Sequence, residues 1–196
     1  MISLSELIEQ GKTIGIIGGG QLGQMLTFAA KQAGMRVVIL DPNPDCSAAQ
    51  AADSSIVAEY SDKKAIEELA RRSDVLTYEF ENVDLKALED VSDKVLIPQG
   101  TELLRITKDR LREKTFLKEH GLQVAPFAAV SCREDLVSAI EEIGYPSVLK
   151  TCEGGYDGKS QLVFHTREDL KNADELLEQG RCILEGWVEF SMECSV

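Results

Sequence analysis

The stretch "KTIGIIGGGQLGQMLTFAAKQAG", Lys12 to Gly34, decides how the first half of the chain folds. An apolar run, Ile14 to Ile17, stops at three consecutive glycines, and a helical pattern starts at once. Apolar residues then recur as Leu22, Met25, Leu26 and Ala29, one face of a helix, and Gly34 closes it. A strand, a glycine turn and a helix in that order begin an α/β unit. Gly18, Gly20 and Gly23 satisfy G-x-G-x-x-G, and Asp41 ends the next apolar run where a dinucleotide fold keeps a ribose-binding acid. Glycines let the backbone approach an anion, and a helix N-terminus offers N–H donors and positive partial charge. This selects for phosphate in general. A dinucleotide, another phosphorylated ligand and tight packing alone all remain open at this loop.

Working outward, "RVVILD" is a buried strand, "SSIVA" a short one, and "DKKAIEELARRS" a helix that Asp62 can cap. "DVLTYEF" is a strand, "DLKALEDV" a helix, and "KVLIPQ" a strand ended by Pro98. Repeated strand–helix–strand units predict a parallel, doubly wound, Rossmann-like sheet over residues 1–100. From residue 101 the rhythm changes. "TKDRLREKTFLKEHG" reads as one long amphipathic helix, followed by strand "FAAVS", helix "REDLVSAIEEIG" and strand "PSVLKT". A second glycine-rich loop, "CEGGYDGKS", leads to strand "QLVFHT", helix "REDLKNADELLEQG" and strand "RCILEGWV". Strands joined by a short glycine loop pair antiparallel, so residues 101–196 form a second, α+β unit.

Composition narrows the partners. A net charge of −13 over 196 residues disfavours nucleic acid, whose phosphates demand Lys and Arg, yet leaves room for a small anion in a local positive pocket. Five cysteines without a C-x-x-C pair, and only two histidines, argue against disulfide staples and a zinc site. Any metal would be a hard cation on oxygen ligands. No run of 18 apolar residues exists, and Glu6 and Glu9 stand where a signal peptide would carry Lys or Arg. The expectation is a cytoplasmic protein with no membrane partner.

The second glycine loop is the more informative. In "VLKTCEGGYDGKSQ", Lys150 ends a strand, Gly154, Gly155 and Gly158 make a flexible flap, and Lys159 rides on it. Two lysines bracketing a glycine flap suit a polyphosphate. The Walker spacing is absent. The plain alternative is a hairpin with solvated lysines.

"GIIGGGQLGQM", "TYEFENV", "DRLREKTFL" and "LKTCEGGYDGK" stand in an order and spacing that resemble the ATP-grasp family of 5-(carboxyamino)imidazole ribonucleotide synthases, across essentially the whole chain. The resemblance implies a Rossmann-like pre-ATP-grasp domain followed by the first part of an ATP-grasp α+β domain. It also implies a ligase of purine synthesis that joins bicarbonate to aminoimidazole ribonucleotide through carboxyphosphate, with ATP and Mg2+, as a homodimer. Arg110 and Lys150 match phosphate contacts. Gly155, Tyr156, Asp157, Gly158, Lys159 and Gln161 match the flap over ATP, with Tyr156, Asp157 and Lys159 at its reacting end. Glu185, Gly186, Trp187 and Val188 match the strand that reads adenine, Glu185 accepting from its amino group, and Glu193 matches the ribose carboxylate. Gly20, Gln21, Leu22 and Glu79 match the side that receives aminoimidazole ribonucleotide, so the first loop would hold a nucleotide monophosphate. Ser160 replaces a usual flap glycine, and Cys152 stands where a cation near the phosphates is common.

The family's magnesium carboxylates would fall beyond Val196, so no metal ligand is expected within these residues, and this chain alone is expected not to make carboxyphosphate. Another ATP-grasp ligase of purine synthesis, an NAD-dependent oxidoreductase and an inactive fragment are the competing readings.

Overall fold

The computed structural model describes residues 9–154, 160–192 and 194, and the chain divides into two compact units, Met1–Arg105 and Ile106–Val196. In chain order the elements are β1 (Thr13–Ile17), α1 (Gln21–Gln32), β2 (Arg36–Asp41), β3 (Ser54–Val57), α2 (Lys63–Arg72), β4 (Val75–Tyr78), α3 (Leu85–Val91) and α4 (Glu102–Thr107). There follow α5 (Arg110–Glu119), β5 (Phe127–Val130), α6 (Arg133–Ile143), β6 (Ser147–Thr151), β7 (Gln161–Phe164), α7 (Asp174–Glu178) and β8 (Cys182–Gly186).

The first sheet is parallel, in the order β3-β2-β1-β4, with Ile16 opposite Ile39 and Thr77. Its two faces are covered separately. Ile17, Val38, Leu40 and Leu76 pack against Ile66 and Leu69 of α2 and Leu88 and Val91 of α3. Ile16, Val37 and Ile39 pack with Ala30 of α1, Cys46 and Ala48. Burial on both sides is why these strands read as unbroken apolar runs. Asp62 caps α2 by accepting from Lys64 N at 2.9 Å and Ala65 N at 3.2 Å, as its sequence position suggested.

Four local expectations change. The Leu22–Met25–Leu26 face of α1 points to solvent; the helix buries Gly23, Thr27 and Ala30, because only small side chains fit its close approach to the sheet. "KVLIPQ" contributes one bridge, Leu96 to Val75, since Pro98 has no N–H to extend a ladder. The long helix over 107–121 starts only at Arg110, because Asp109 turns its carboxylate onto the amides of Leu111 (3.0 Å) and Arg112 (3.1 Å) and caps α5 there. The stretch 167–180 likewise splits, into a 3-10 turn, Arg167–Asn172, and the short α7.

The second sheet is antiparallel, in the order β5-β8-β6-β7. Leu149 and Leu184, directly opposite each other, join Leu136 and Ile140 of α6, Phe164, Leu170 and Leu176 in one core. The next residues on each strand face the other way. Asp109, 2% exposed in this unit, also pairs with Arg181. Removing a capping carboxylate costs about 1–2 kcal/mol. Asp109→Ala should therefore lower the urea midpoint read by Trp187 fluorescence, and Asp109→Asn, which keeps a capping oxygen, should recover most of the loss. Equal midpoints for all three proteins would remove the cap from the account. Among the described residues, no helix is long and apolar enough to cross a membrane.

Candidate functional site

The predicted site residues that are described fall into two clusters, one in each unit. In the first, the connections from β1 to β2 and from β3 to β4 place helices on opposite faces, so the strand order switches between β1 and β4. A crevice opens at the carboxyl ends of strands at such a point, where ligands of open α/β sheets bind. The glycine loop after β1 and Glu79 after β4 both lie there. Glu79 Oε2 accepts from Gly23 N at 3.2 Å, and Gly20 lies against its other oxygen. Gln21 and Leu22 are exposed at the start of α1.

This geometry alters the reading of the loop as a phosphate cradle. Gly18 N donates to Leu40 O at 3.0 Å, Gly19 N to Asp41 Oδ2 at 2.7 Å, and Gly23 N to Glu79. Two of these amides already hold carboxylates, and a second anion at either would meet like charge. Asp41 also accepts from Tyr60 Oη at 2.6 Å and Asn43 N at 2.8 Å. It is therefore committed to the loop and is not presented to a ribose. Burial first, and then the Asp41 hydrogen bond, push the Tyr60 phenol well above its ordinary range, which keeps it a donor. The loop's glycines serve this arrangement: a Cβ on Gly23 would lie 2.2 Å from Gly18 O.

In the second unit, register sets the site. Val148 pairs with Glu185, so Lys150, two residues on, shares a face with Glu185 across the β6–β8 ladder, opposite the Leu149–Leu184 face. Lys150 Nζ donates to Glu185 Oε2 at 2.9 Å. Lys114 Nζ, from α5, lies 3.5 Å from the same oxygen. The three line a cavity of about 420 Å³ together with Val148, Gly186, Trp187, Val188 and Phe190. Glu185 is 7% exposed, so two cations and one buried carboxylate leave a net positive wall beside apolar surface.

Glu185 thus meets lysines first, where an adenine amino group was expected. Gly186 N donates to Pro126 O at 2.8 Å and Trp187 N to Pro146 O at 3.1 Å, which commits both amides to the fold. Arg110 Nη1 donates to Thr151 O at 2.9 Å and Gly154 O at 2.7 Å, so this arginine grips the entry to the second glycine loop. Gln161 opens β7, exposed and opposite Lys150. Cys152 is buried beside Asp109 and Arg181 and does not line this cavity; burial first and then the Asp109 charge push its thiol up.

Gly155, Tyr156, Asp157, Gly158, Lys159 and Glu193 lie outside the described residues. Among those described, no three carboxylate, imidazole or thiol side chains converge. Sequence reasoning missed Lys114. Its signal was its place four residues after Arg110, on the same side of one helix.

Known proteins share this two-unit organisation. Residues 11–108 match the family model of the ribonucleotide synthetase preATP-grasp domain, and residues 115–196 that of the ATP-grasp domain. The N5-carboxyaminoimidazole ribonucleotide synthase of Bacillus subtilis (strain 168) is 49% identical over 191 residues, covering 97% of this chain and 50% of the relative. The Staphylococcus aureus (strain COL) enzyme is 43% identical over 186 residues, covering 95% and 50%. A crystal structure of an N5-carboxyaminoimidazole ribonucleotide synthetase with ADP superposes with a TM-score of 0.89 at 48% identity, over 96% of this chain and 50% of that one. The Aspergillus clavatus synthase with ADP and 5-aminoimidazole ribonucleotide gives 0.83 at 28% identity, over 93% and 48%. The chain spans about half the length of the curated relatives it matches, 50% in each case. With a parallel sheet whose glycine turn sits at the switch point, followed by an antiparallel sheet lined by paired lysines, the chain belongs to the ribonucleotide synthetase family in which a preATP-grasp domain precedes an ATP-grasp domain.

Proposed function

We propose that this chain supplies the substrate-side domain, residues 1–100, and the first ATP-binding elements, residues 101–196, of an ATP-dependent ligase. The ligase carboxylates 5-aminoimidazole ribonucleotide with bicarbonate. The observation that carries this reading is the second-unit cavity, where Lys114, Lys150 and Glu185 face Trp187 and Val188. A flat apolar wall suits a purine ring, and a net positive rim suits its phosphates. Relatives that bind ADP, and ADP with 5-aminoimidazole ribonucleotide, support the same assignment.

In this reading Lys150 turns to the polyphosphate, Arg110 steadies the root of the 155–159 loop, and that loop, with Tyr156, Asp157 and Lys159, closes over the reacting end. Val188 offers a backbone amide to the base, and Glu193 takes the ribose. Bicarbonate oxygen attacks the terminal phosphorus, the bond to the bridging oxygen breaks, and ADP leaves. The exocyclic amine then attacks the carboxyl carbon of carboxyphosphate, phosphate departs with the C–O electron pair, and the amine loses a proton. Such steps depend on positioning and charge stabilisation more than on covalent groups of the protein. Glu79, fixed by the glycine loop, faces the aminoimidazole ribonucleotide. Magnesium, a homodimer and a cytoplasmic setting belong to the same proposal.

Calorimetric titration of the 196-residue chain with ATP and with NAD tests it, alongside phosphate release that requires bicarbonate and aminoimidazole ribonucleotide in a protein of the relatives' full length. ATP binding without NAD binding is expected. Tight NAD binding with no response to ATP would overturn it, although Asp41, already held by Gly19, Asn43 and Tyr60, is a poor ribose acceptor.

A further inference from the structure

Lys114 and Lys150 converge on one oxygen of one carboxylate, at 3.5 and 2.9 Å. The two ammonium groups repel each other, and Glu185 cancels only one of their charges. All three side chains are largely covered: 21% of Lys114, 27% of Lys150 and 10% of Glu185 is exposed. A carboxylate so buried cannot lose its only cation cheaply. With one lysine, movement of that lysine toward a ligand would strand Glu185. With two, one can leave while the other stays. The lysines come from different elements, α5 and β6, so either can move without dragging the other.

We propose that Lys114 is a positioning residue of the nucleotide site: it holds Glu185 when Lys150 leaves that carboxylate for the phosphates of the nucleotide. The inference rests on the ATP reading above. It makes Glu185 a charge relay between two lysines, rather than a reader of the adenine amino group. It also means that Lys114 matters in proportion to the phosphate carried by the ligand. Adenosine, which gives Lys150 no reason to leave Glu185, is indifferent to Lys114.

The test is calorimetry on the 196-residue chain and its variants, with ATP and with adenosine as probes and thermal melting as a check on folding. Lys114→Met should weaken ATP by about tenfold, the scale of one hydrogen bond to a charged group, and adenosine by less than about twofold. Lys114→Arg, which keeps the charge, should restore most of the ATP affinity. In a Glu185→Gln background no carboxylate needs a cation, so adding Lys114→Met should change ATP affinity little. A tenfold loss that persists in that background would show Lys114 acting as a bare charge, and would overturn the sharing of Glu185. Equal losses for ATP and adenosine would reduce Lys114 to packing, and no loss for either would remove it from the site. If the parent chain binds neither probe, the nucleotide reading itself fails and this proposal with it; a parent that binds both, with variants that do not discriminate, sinks only the role of Lys114.

Discussion

Gly23→Ala is expected to unfold the first unit at markedly lower denaturant while leaving the second untouched. The added methyl would sit 2.2 Å from Gly18 O and 3.1 Å from Glu79 Oε2, and neither neighbour can step aside. Gly18 has a φ of +108° that its own turn requires, and Glu79 is tied to the Gly23 amide itself. Overpacking against backbone costs about 1–3 kcal/mol or more, a large share of the 5–15 kcal/mol that holds a typical domain together. The reporters separate the units: far-UV circular dichroism sees both, whereas the single tryptophan, Trp187, lies in the second. The dichroism midpoint should fall and the Trp187 midpoint should stay. Gly20→Ala is the control, because Gly20 has a φ of −69° and its methyl would meet nothing closer than Glu79 Oε1 at 3.4 Å. If both variants unfold like the parent, the close approach of α1 to the glycine turn is wrong.

Lys150→Ala is expected to fold normally and to bind ATP about 10- to 150-fold more weakly, from the 1.5–3 kcal/mol of a hydrogen bond to a charged group. Normal folding follows because Lys114 remains 3.5 Å from Glu185, so no buried carboxylate is left alone. Calorimetry gives the affinity and a thermal melt the stability. Unchanged ATP affinity would take Lys150 out of the site. A large fall in melting temperature would show that Lys114 does not compensate Glu185 by itself.

The sequence made the architecture legible wherever a pattern answered to one cause. Unbroken apolar runs such as "RVVILD" report burial on both faces, and β2 is where that pattern placed it. Asp62 before "KKAIEELARR" reports a cap, and it caps. It was less legible where two causes share a pattern. Leu22, Met25 and Leu26 have helical spacing whether a face is buried or bare, and only the nearness of α1 to the sheet reveals that its small residues face inward. The glycine loop was less legible for a similar reason. Amides that suit a phosphate suit a carboxylate equally well, and Asp41 and Glu79 arrive from β2 and β4, 22 and 56 residues away from their partners. Lys150 was visible as a strand-end lysine. Its pairing with Glu185 depends on a β6–β8 register that no local spacing reports.

The carboxylates inside the glycine loop have one more consequence. A loop whose amides wait for a ligand must be ordered by that ligand, and each residue so ordered subtracts about 1–2 kcal/mol of backbone entropy from the binding. Here carboxylates of the chain itself, Asp41 and Glu79, hold Gly19 and Gly23. The loop's freedom is therefore surrendered when the first unit folds, and a molecule arriving at the switch point meets a surface that is already rigid. Association there should run at the speed of encounter, with no waiting step for the loop to close.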